Sequence, residues 1–237
     1  MQSHSLCRVI SKLGIMSRKE AAKQIIAGNV TVDGKTIKDP GMAVSIDSKI
    51  TVKGKEAEKK SIVYILLNKP ANVVTTRKDP QGRRTVYDVA KLDGWVFPVG
   101  RLDYDTSGLL IMTNDSAFAE LVTDPNSKVW KTYLVKIKGE LSKEEICKLE
   151  KGIDLKDYHT LPAKINVVSS TGKSTRVEIK IHEGKNRQVR RMLESLGKKV
   201  VFLERTEIGG LKIGSLKPSE YVHLTEKQVH DLKSYLK

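Results

Sequence analysis

Leu6, Val9, Ile10 and Leu13 recur at helical spacing, and Gly14 follows where such a helix would stop, so the pattern predicts a short first helix. Ser17 and Glu20 carry the S-x-x-E signature of a capping box and open a second helix, with an apolar side of Ala22, Ile25 and Ile26 and an end at Gly28. The period then shortens. VTVDGKTI (30–37) reads as a strand, an Asp33-Gly34 turn and a returning strand, and a further strand is expected near Ser48 to Lys53. Residues 1–52 thus form a small domain of two helices and a hairpin. The run KGKEAEKK (53–60) has no periodicity and nothing to bury, which predicts a solvated linker and a larger domain over 61–237.

In that larger part, strand-like runs at Ser61 to Leu67, Tyr133 to Ile137, Arg176 to Ile181, Val200 to Leu203 and Tyr221 to Leu224 alternate irregularly with helical ones. Asp115 opens a helix through Val122, and Ser142 with Glu145 boxes another that ends at Gly152. Thr225 with Gln228 boxes the last, with Val229, Leu232 and Leu236 inward. This order predicts an α+β fold on a mainly antiparallel mixed sheet with flanking helices, rather than regular βαβ units.

Charge sharpens the picture. With 43 Lys and Arg against 28 Asp and Glu the net charge is +15, which points to a polyanionic partner, nucleic acid above all. The excess is spread over both parts, +6 in residues 1–60 and +9 in the remainder. Arg8 and Lys12 on the first helix, with Arg18, Lys19 and Lys23 on the second, lie off the apolar stripes and form a basic surface. The two cysteines, Cys7 and Cys147, lack any C-x-x-C partner, so neither a disulfide framework nor a thiolate metal site is expected. The longest apolar run, Ile62 to Leu67, is far too short to span a bilayer, and MQSHSLCRVISK lacks a signal-peptide core; a soluble cytoplasmic protein is expected.

Four stretches carry candidate chemistry. GRLDYDTSGLLIMTND (100–115) imitates a calcium loop through Asp103, Asp105, Ser107 and Gly108, but Asn114 stands where a bidentate Glu is needed, and Pro98 and two glycines precede it. The alternative is a tight polar turn presenting one aspartate in front of a buried strand. TGKS (171–174) imitates the end of a phosphate loop, yet lies between two strand-like runs and reads as a hairpin turn. In EGKNRQVRRMLESLG (183–197), Val189, Met192, Leu193 and Leu196 form an apolar stripe, while Arg187, Arg190 and Arg191, with Glu194, project from the opposite side as a cationic face. Tyr133 in WKTYLVKI (130–137) is either core filler or a platform for a base. The five histidines show no metal-ligand spacing.

Taken in series, these stretches resemble the bacterial ribosomal RNA pseudouridine synthases of the RsuA/RluB type. Residues 1 to about 50 look like the S4 RNA-binding domain through LGIMSRKEAAKQIIAGNVTVDGK. YILLNKPANVVTT, RKDPQGRRTVYD, VGRLDYDTSGLLIMTND, KTYLVKIKG, EGKNRQVRRML and ERTEIGGLKIGSLKPSEYVHLT then follow in the family's order. The resemblance implies isomerisation of uridine in ribosomal RNA without metal or other cofactor; separately, a monomer is expected. It makes Asp103 the catalytic carboxylate, Tyr133 the ring that stacks on uracil and Arg190 the arginine that pairs with that carboxylate. Arg101 and Thr106 would shape the loop, Asp105 is a neighbour and not a second catalyst, and Asn186, Arg187, Arg191 and the basic residues of the first domain contact RNA. Asn72 replaces the usual glycine of NKPxG, and Asn is the non-glycine residue best suited to a positive φ. Ser116, Ser219 and Val222 also depart from the family pattern. RKDPQGRRTVYD leans towards large-subunit RNA, while IGGLKIGSL also suits a small-subunit target. Two other classes remain in view: a non-catalytic RNA-binding or ribosome-assembly protein, and a hydrolase using Asp103 and Asp105 as a carboxylate pair.

Overall fold

A computed structural model of the chain describes residues 3–58, 60–92 and 94–235. It divides into two compact units, one of residues 1–63 with 93–97 and 113–116, the other of 64–92, 98–112 and 117–237. The first begins with β1 (His4–Ser5), α1 (Leu6–Lys12) and α2 (Arg18–Ile26). Four further short strands follow: β2 (Val30–Val32), β3 (Lys35–Thr36), β4 (Ala43–Val44) and β5 (Ile50–Val52). Leu6, Val9, Ile10 and Leu13 of the first helical pattern pack with Ala21, Ile25, Val30, Val32, Val44 and Ile50 into one core.

Three details differ from the pattern-based expectation. The Ser17 side chain accepts from the Glu20 amide, but Glu20 accepts from Gln24 instead of closing the box. Ala21 and Ile25 form the buried side of α2, and Ile26 is exposed, because the helix stops there and its last residue turns past the core. The segment expected to be wholly linker begins as a hairpin: Lys53 and Gly54 both take positive φ, and β6 (Lys55–Glu56) pairs back onto β5. A charge-rich composition had concealed a two-residue turn of the same kind as Asp33-Gly34, where both φ angles are also positive.

The larger sheet is built on β7 (Tyr64–Lys69), β8 (Phe97–Pro98), β9 (Ser107–Thr113), β10 (Lys131–Lys138), β11 (Lys164–Ser170), β12 (Ser174–Ile181), β13 (Val200–Ile208), β14 (Leu211–Lys212) and β15 (Tyr221–His223). The main path of this nine-stranded sheet runs β11-β12-β10-β13-β9-β7-β15. Pairing is antiparallel at β11-β12, β12-β10, β10-β13 and β7-β15 and parallel between β13 and β9, as a mainly antiparallel mixed sheet requires. Strand β9 runs through the interior with Leu109, Leu110, Ile111 and Met112 fully buried, so both of its faces are covered. TGKS forms the β11-β12 hairpin turn, with Gly172 at positive φ.

The helices are α3 (Val86–Val89), α4 (Ser116–Thr123), α5 (Lys143–Lys151), α6 (Gln188–Glu194) and α7 (Glu226–Tyr235). Ser142 and Glu145 close the expected capping box, and Thr225 and Gln228 exchange the same reciprocal bonds. Val229 and Leu232 are buried, while Leu236 lies outside the described residues. Among the described residues no helix is long and apolar enough to cross a membrane.

Candidate active site

The acidic stretch forms a turn just before β9, and a buried lysine fixes its shape. Lys69, at the end of β7, has no exposed surface and donates to the carbonyls of Pro70 (3.0 Å), Asp103 (3.1 Å) and Thr106 (2.7 Å). Three ammonium hydrogens meet three carbonyl oxygens, so both ends of the turn hang on one side chain. Burial lowers the pKa of this lysine to about 8, against the opposing pull of Asp103 and Asp105. Asn72, at φ +62°, donates its amide to the Tyr104 carbonyl (2.7 Å), so the asparagine supplies the positive φ expected of it.

Helix α6 meets this turn in a way that corrects the expected cationic face. Arg190 is buried and turned inward. Its Nη2 donates to the Asp105 carbonyl (2.9 Å) and lies 3.2 Å from the Asp105 carboxylate. Arg187, the N-cap of α6 at φ +48°, reaches the same carboxylate at 3.1 Å, and Arg191 pairs with Asp157. Of the three arginines only Arg190 is turned fully inward; Arg187 and Arg191 stay partly exposed, paired with acids that are partly exposed themselves. The sequence pattern placed them opposite the apolar stripe, but α6 has only seven residues, and the Asp105 turn packs where solvent was expected.

The partner of Arg190 is therefore Asp105 and not, as the resemblance implied, Asp103. Among the described residues the Asp103 side chain has no ion pair or hydrogen bond, although Asp103 lies close enough to Lys69 and Arg190 to act on both electrostatically. The two aspartates are sorted by their surroundings: Asp105 is held by two guanidinium groups and Asp103 is left open.

Asp103 lines a cavity of about 790 Å³, together with Arg101, Thr106, Tyr133, Asn186 and Arg187. Tyr133 is buried on β10, opposite Ile179 of β12 and Arg205 of β13. Arg190 and Arg191 do not line it. Arg8, Arg18, Lys19 and Lys23 belong to the first unit, where Arg18, Lys19 and Lys23 are exposed and Arg8 is half-buried. The loop carrying Asn186 and Arg187 is anchored from behind by the buried Glu183, which accepts from the Leu161 amide (2.8 Å) and from Gln188.

Sequence reasoning missed Lys69, Lys131 and Arg205. Lys131 and Arg205 line the cavity, and Lys69 supports its acidic turn. Only Lys69 carried a signal, as the single charge closing the apolar run YILLNK, where a lone charge needs a reason; Lys131 and Arg205 sit in strands that hold other charged residues, Lys136 and Lys138 in one and Glu204 and Glu207 in the other. Gly108 is explained by the same neighbourhood: at φ +106°, a Cβ there would lie 2.3 Å from the Arg205 carbonyl oxygen.

An unpaired carboxylate and a buried tyrosine on one cavity with room for a nucleotide are parts that an enzyme working on a nucleotide needs. Comparison with known proteins gives the class. The family model described as RNA pseudouridylate synthase matches residues 63–195, and the S4 domain model matches residues 6–50. The ribosomal large subunit pseudouridine synthase B of Bacillus subtilis is 40% identical over 97% of this chain and 95% of its own length. An uncharacterized RNA pseudouridine synthase of Aquifex aeolicus is 37% identical over 95% of this chain and 92% of its own. A crystal structure of a pseudouridylate synthase superposes with a TM-score of 0.71 at 30% identity, covering 97% of this chain and all of that one. The chain is a member of the RNA pseudouridylate synthase family, with an S4 domain at its N-terminal end.

Proposed function

We propose that this protein isomerises a specific uridine of ribosomal RNA to pseudouridine, with a large-subunit target, in the cytoplasm. The observation that carries the reading is the sorting of the two aspartates: Asp103 opens unpaired on the cavity that holds Tyr133, while Arg187 and Arg190 occupy Asp105. The large-subunit assignment rests on the B. subtilis relative and on RKDPQGRRTVYD.

The reaction moves uracil from an N1 to a C5 attachment on the same ribose, so no atom is added and no redox change occurs. The base is first drawn out of the RNA fold into the cavity. Tyr133 stacks on it, and the Asp103 carboxylate faces the ribose, where its charge favours positive character at C1′ as the C1′–N1 bond breaks. Asp103 either bonds to the sugar or takes a proton from it; both routes need an ionised, unencumbered carboxylate. Arg190 then acts as a positioning residue, holding the turn through Asp105, with Lys69 holding it from the other side. Arg101, Thr106, Asn186 and Arg187 line the way in for the nucleotide, and residues 1–52, with Arg8, Arg18, Lys19 and Lys23, supply RNA affinity separately from the chemistry of 61–237.

The product decides between readings. Digestion of RNA treated with the enzyme yields pseudouridine and no free uracil if the reading is right. Free uracil with an abasic site would identify a hydrolase, and unchanged RNA a binding protein.

A further inference from the structure

Arg205 is a buried cation without an acid. It lies on β13 opposite Tyr133, with only 4% of its surface exposed, on the wall of the Asp103 cavity. Its Nε donates to the Leu109 carbonyl (2.8 Å), but Nη2 is buried with no hydrogen-bond partner, and no carboxylate of the described residues pairs with it. Lys131, two residues before Tyr133 on β10, lines the same cavity and uses its ammonium on one carbonyl, that of Val129 (3.2 Å). Burial first, and then the charge of Arg205, lower the pKa of Lys131 to about 8. A desolvated guanidinium with an open donor is costly unless a ligand completes it.

Resting on the reading of the site as a uridine isomerase, we propose that Arg205, supported by Lys131, receives the uracil itself. Its open Nη2 donates to a uracil carbonyl oxygen and holds the negative charge of the departing base. Phosphates of a folded RNA stay at the surface, so a cation this deep reaches only the part of the nucleotide that enters furthest, the base. When the C1′–N1 bond breaks, its electron pair leaves with N1 and spreads onto O2 and O4. Those oxygens accept in the ring plane, where a guanidinium edge donates best. The base then turns, C5 bonds to C1′, the C5 proton is lost and N1 takes one up, so uracil carries the negative charge only while it is detached and no net proton or electron is exchanged. Arg205 serves the leaving group and Asp103 the sugar.

The test compares wild type, Arg205→Gln and Lys131→Gln in single-turnover reactions on ribosomal RNA transcripts made with uridine or with 5-fluorouridine. Loss of the substrate nucleoside is read by nuclease digestion and chromatography, and RNA binding is measured separately. Fluorine stabilises the departing anion on its own, so a residue with that task matters less when fluorine is present. Arg205→Gln is expected to slow uridine consumption about 100-fold or more, the scale of a lost oxyanion donor. RNA affinity should change less than threefold, and the defect should shrink on 5-fluorouridine; Lys131→Gln should give a smaller defect that shrinks likewise. Equal defects on both substrates would reduce Arg205 to a structural strut and overturn the proposal. Loss of affinity with an unchanged bound rate would overturn it in favour of a phosphate grip. If Arg205→Gln fails to fold, Lys131→Gln decides alone, and full activity there overturns the pair. Inactive wild type would instead remove the isomerase reading, and this inference with it.

Discussion

Arg190 Nη2 closes on Asp105 twice, at 2.9 Å to its carbonyl and 3.2 Å to its carboxylate, and so ties helix α6 to the turn that presents Asp103. Asp105→Ala removes the carboxylate from a guanidinium that is 8% exposed. Because Asp105 is itself 41% exposed, solvent screens much of the loss, and the expected destabilisation is about 1–2 kcal/mol, well below that of a fully buried pair. Turnover should fall between about ten- and a hundredfold through misplacement of the turn, without being abolished. Thermal unfolding and a single-turnover rate check both; complete inactivity would make Asp105 more than a positioning residue.

Gly108→Ala should be far more damaging than its size suggests. The new Cβ would sit 2.3 Å from the Arg205 carbonyl oxygen at φ +106°, combining overlap against backbone with a conformation L-residues avoid. A loss of about 3 kcal/mol or more is expected, read as a fall in denaturant midpoint with an unchanged slope. A loss below 1 kcal/mol would mean that β9 and β13 are further apart than described.

Lys69 predicts opposite pH trends for stability and activity. Its folded pKa, about 8, lies below the unfolded value of about 10.4, so between those pH values the unfolded chain binds the proton and the folded chain does not. The Lys69 contribution therefore disfavours folding at lower pH and is relieved as pH rises through that window. The neutral amine keeps only two hydrogens for three carbonyls, so the turn slackens as stability from this group is gained. Turnover should decline above about pH 8. Lys69→Met should lack the wild-type rise in unfolding free energy over the same range, measured by chemical denaturation; identical slopes would exclude this account.

In the first unit, the exposed Arg18, Lys19 and Lys23 are expected to meet phosphates. Their combined replacement by alanine should weaken RNA binding and flatten the plot of log affinity against log salt by about 2, at roughly 0.7–0.9 per contact. The turnover rate of bound RNA should hold. An unchanged salt slope would place the RNA elsewhere.

Local signals made much of the fold legible. Capping boxes at Ser142 and Thr225, the Asp33-Gly34 turn and the strand periods of β7, β10, β12 and β13 all act within a few residues, so the sequence displays them directly. Lys53-Gly54 was equally local but lay hidden under a charge run. What escaped depends on contacts between distant segments. Arg190 looked like a solvent-facing arginine because nothing near it in sequence reveals the Asp105 turn, 85 residues earlier, packed against it. Arg205 and Lys69 had the same difficulty, since the carbonyls they meet belong to β9 and its preceding turn. Asp103, Tyr133, Arg101, Thr106, Asn186 and Arg187 could be named in advance through the series of family motifs, but which of two aspartates stood unpaired needed the fold.

The most direct measurement of the central claim uses ribosomal RNA labelled with tritium at uridine C5, since joining C5 to C1′ must expel that hydrogen. Wild type should release tritium to water, and Asp103→Asn should release none while binding the RNA with nearly wild-type affinity. Release by Asp103→Asn at the wild-type rate would contradict the assignment of the chemistry to Asp103, and no release from wild type on naked RNA and on ribosomal precursor particles alike would contradict isomerisation itself.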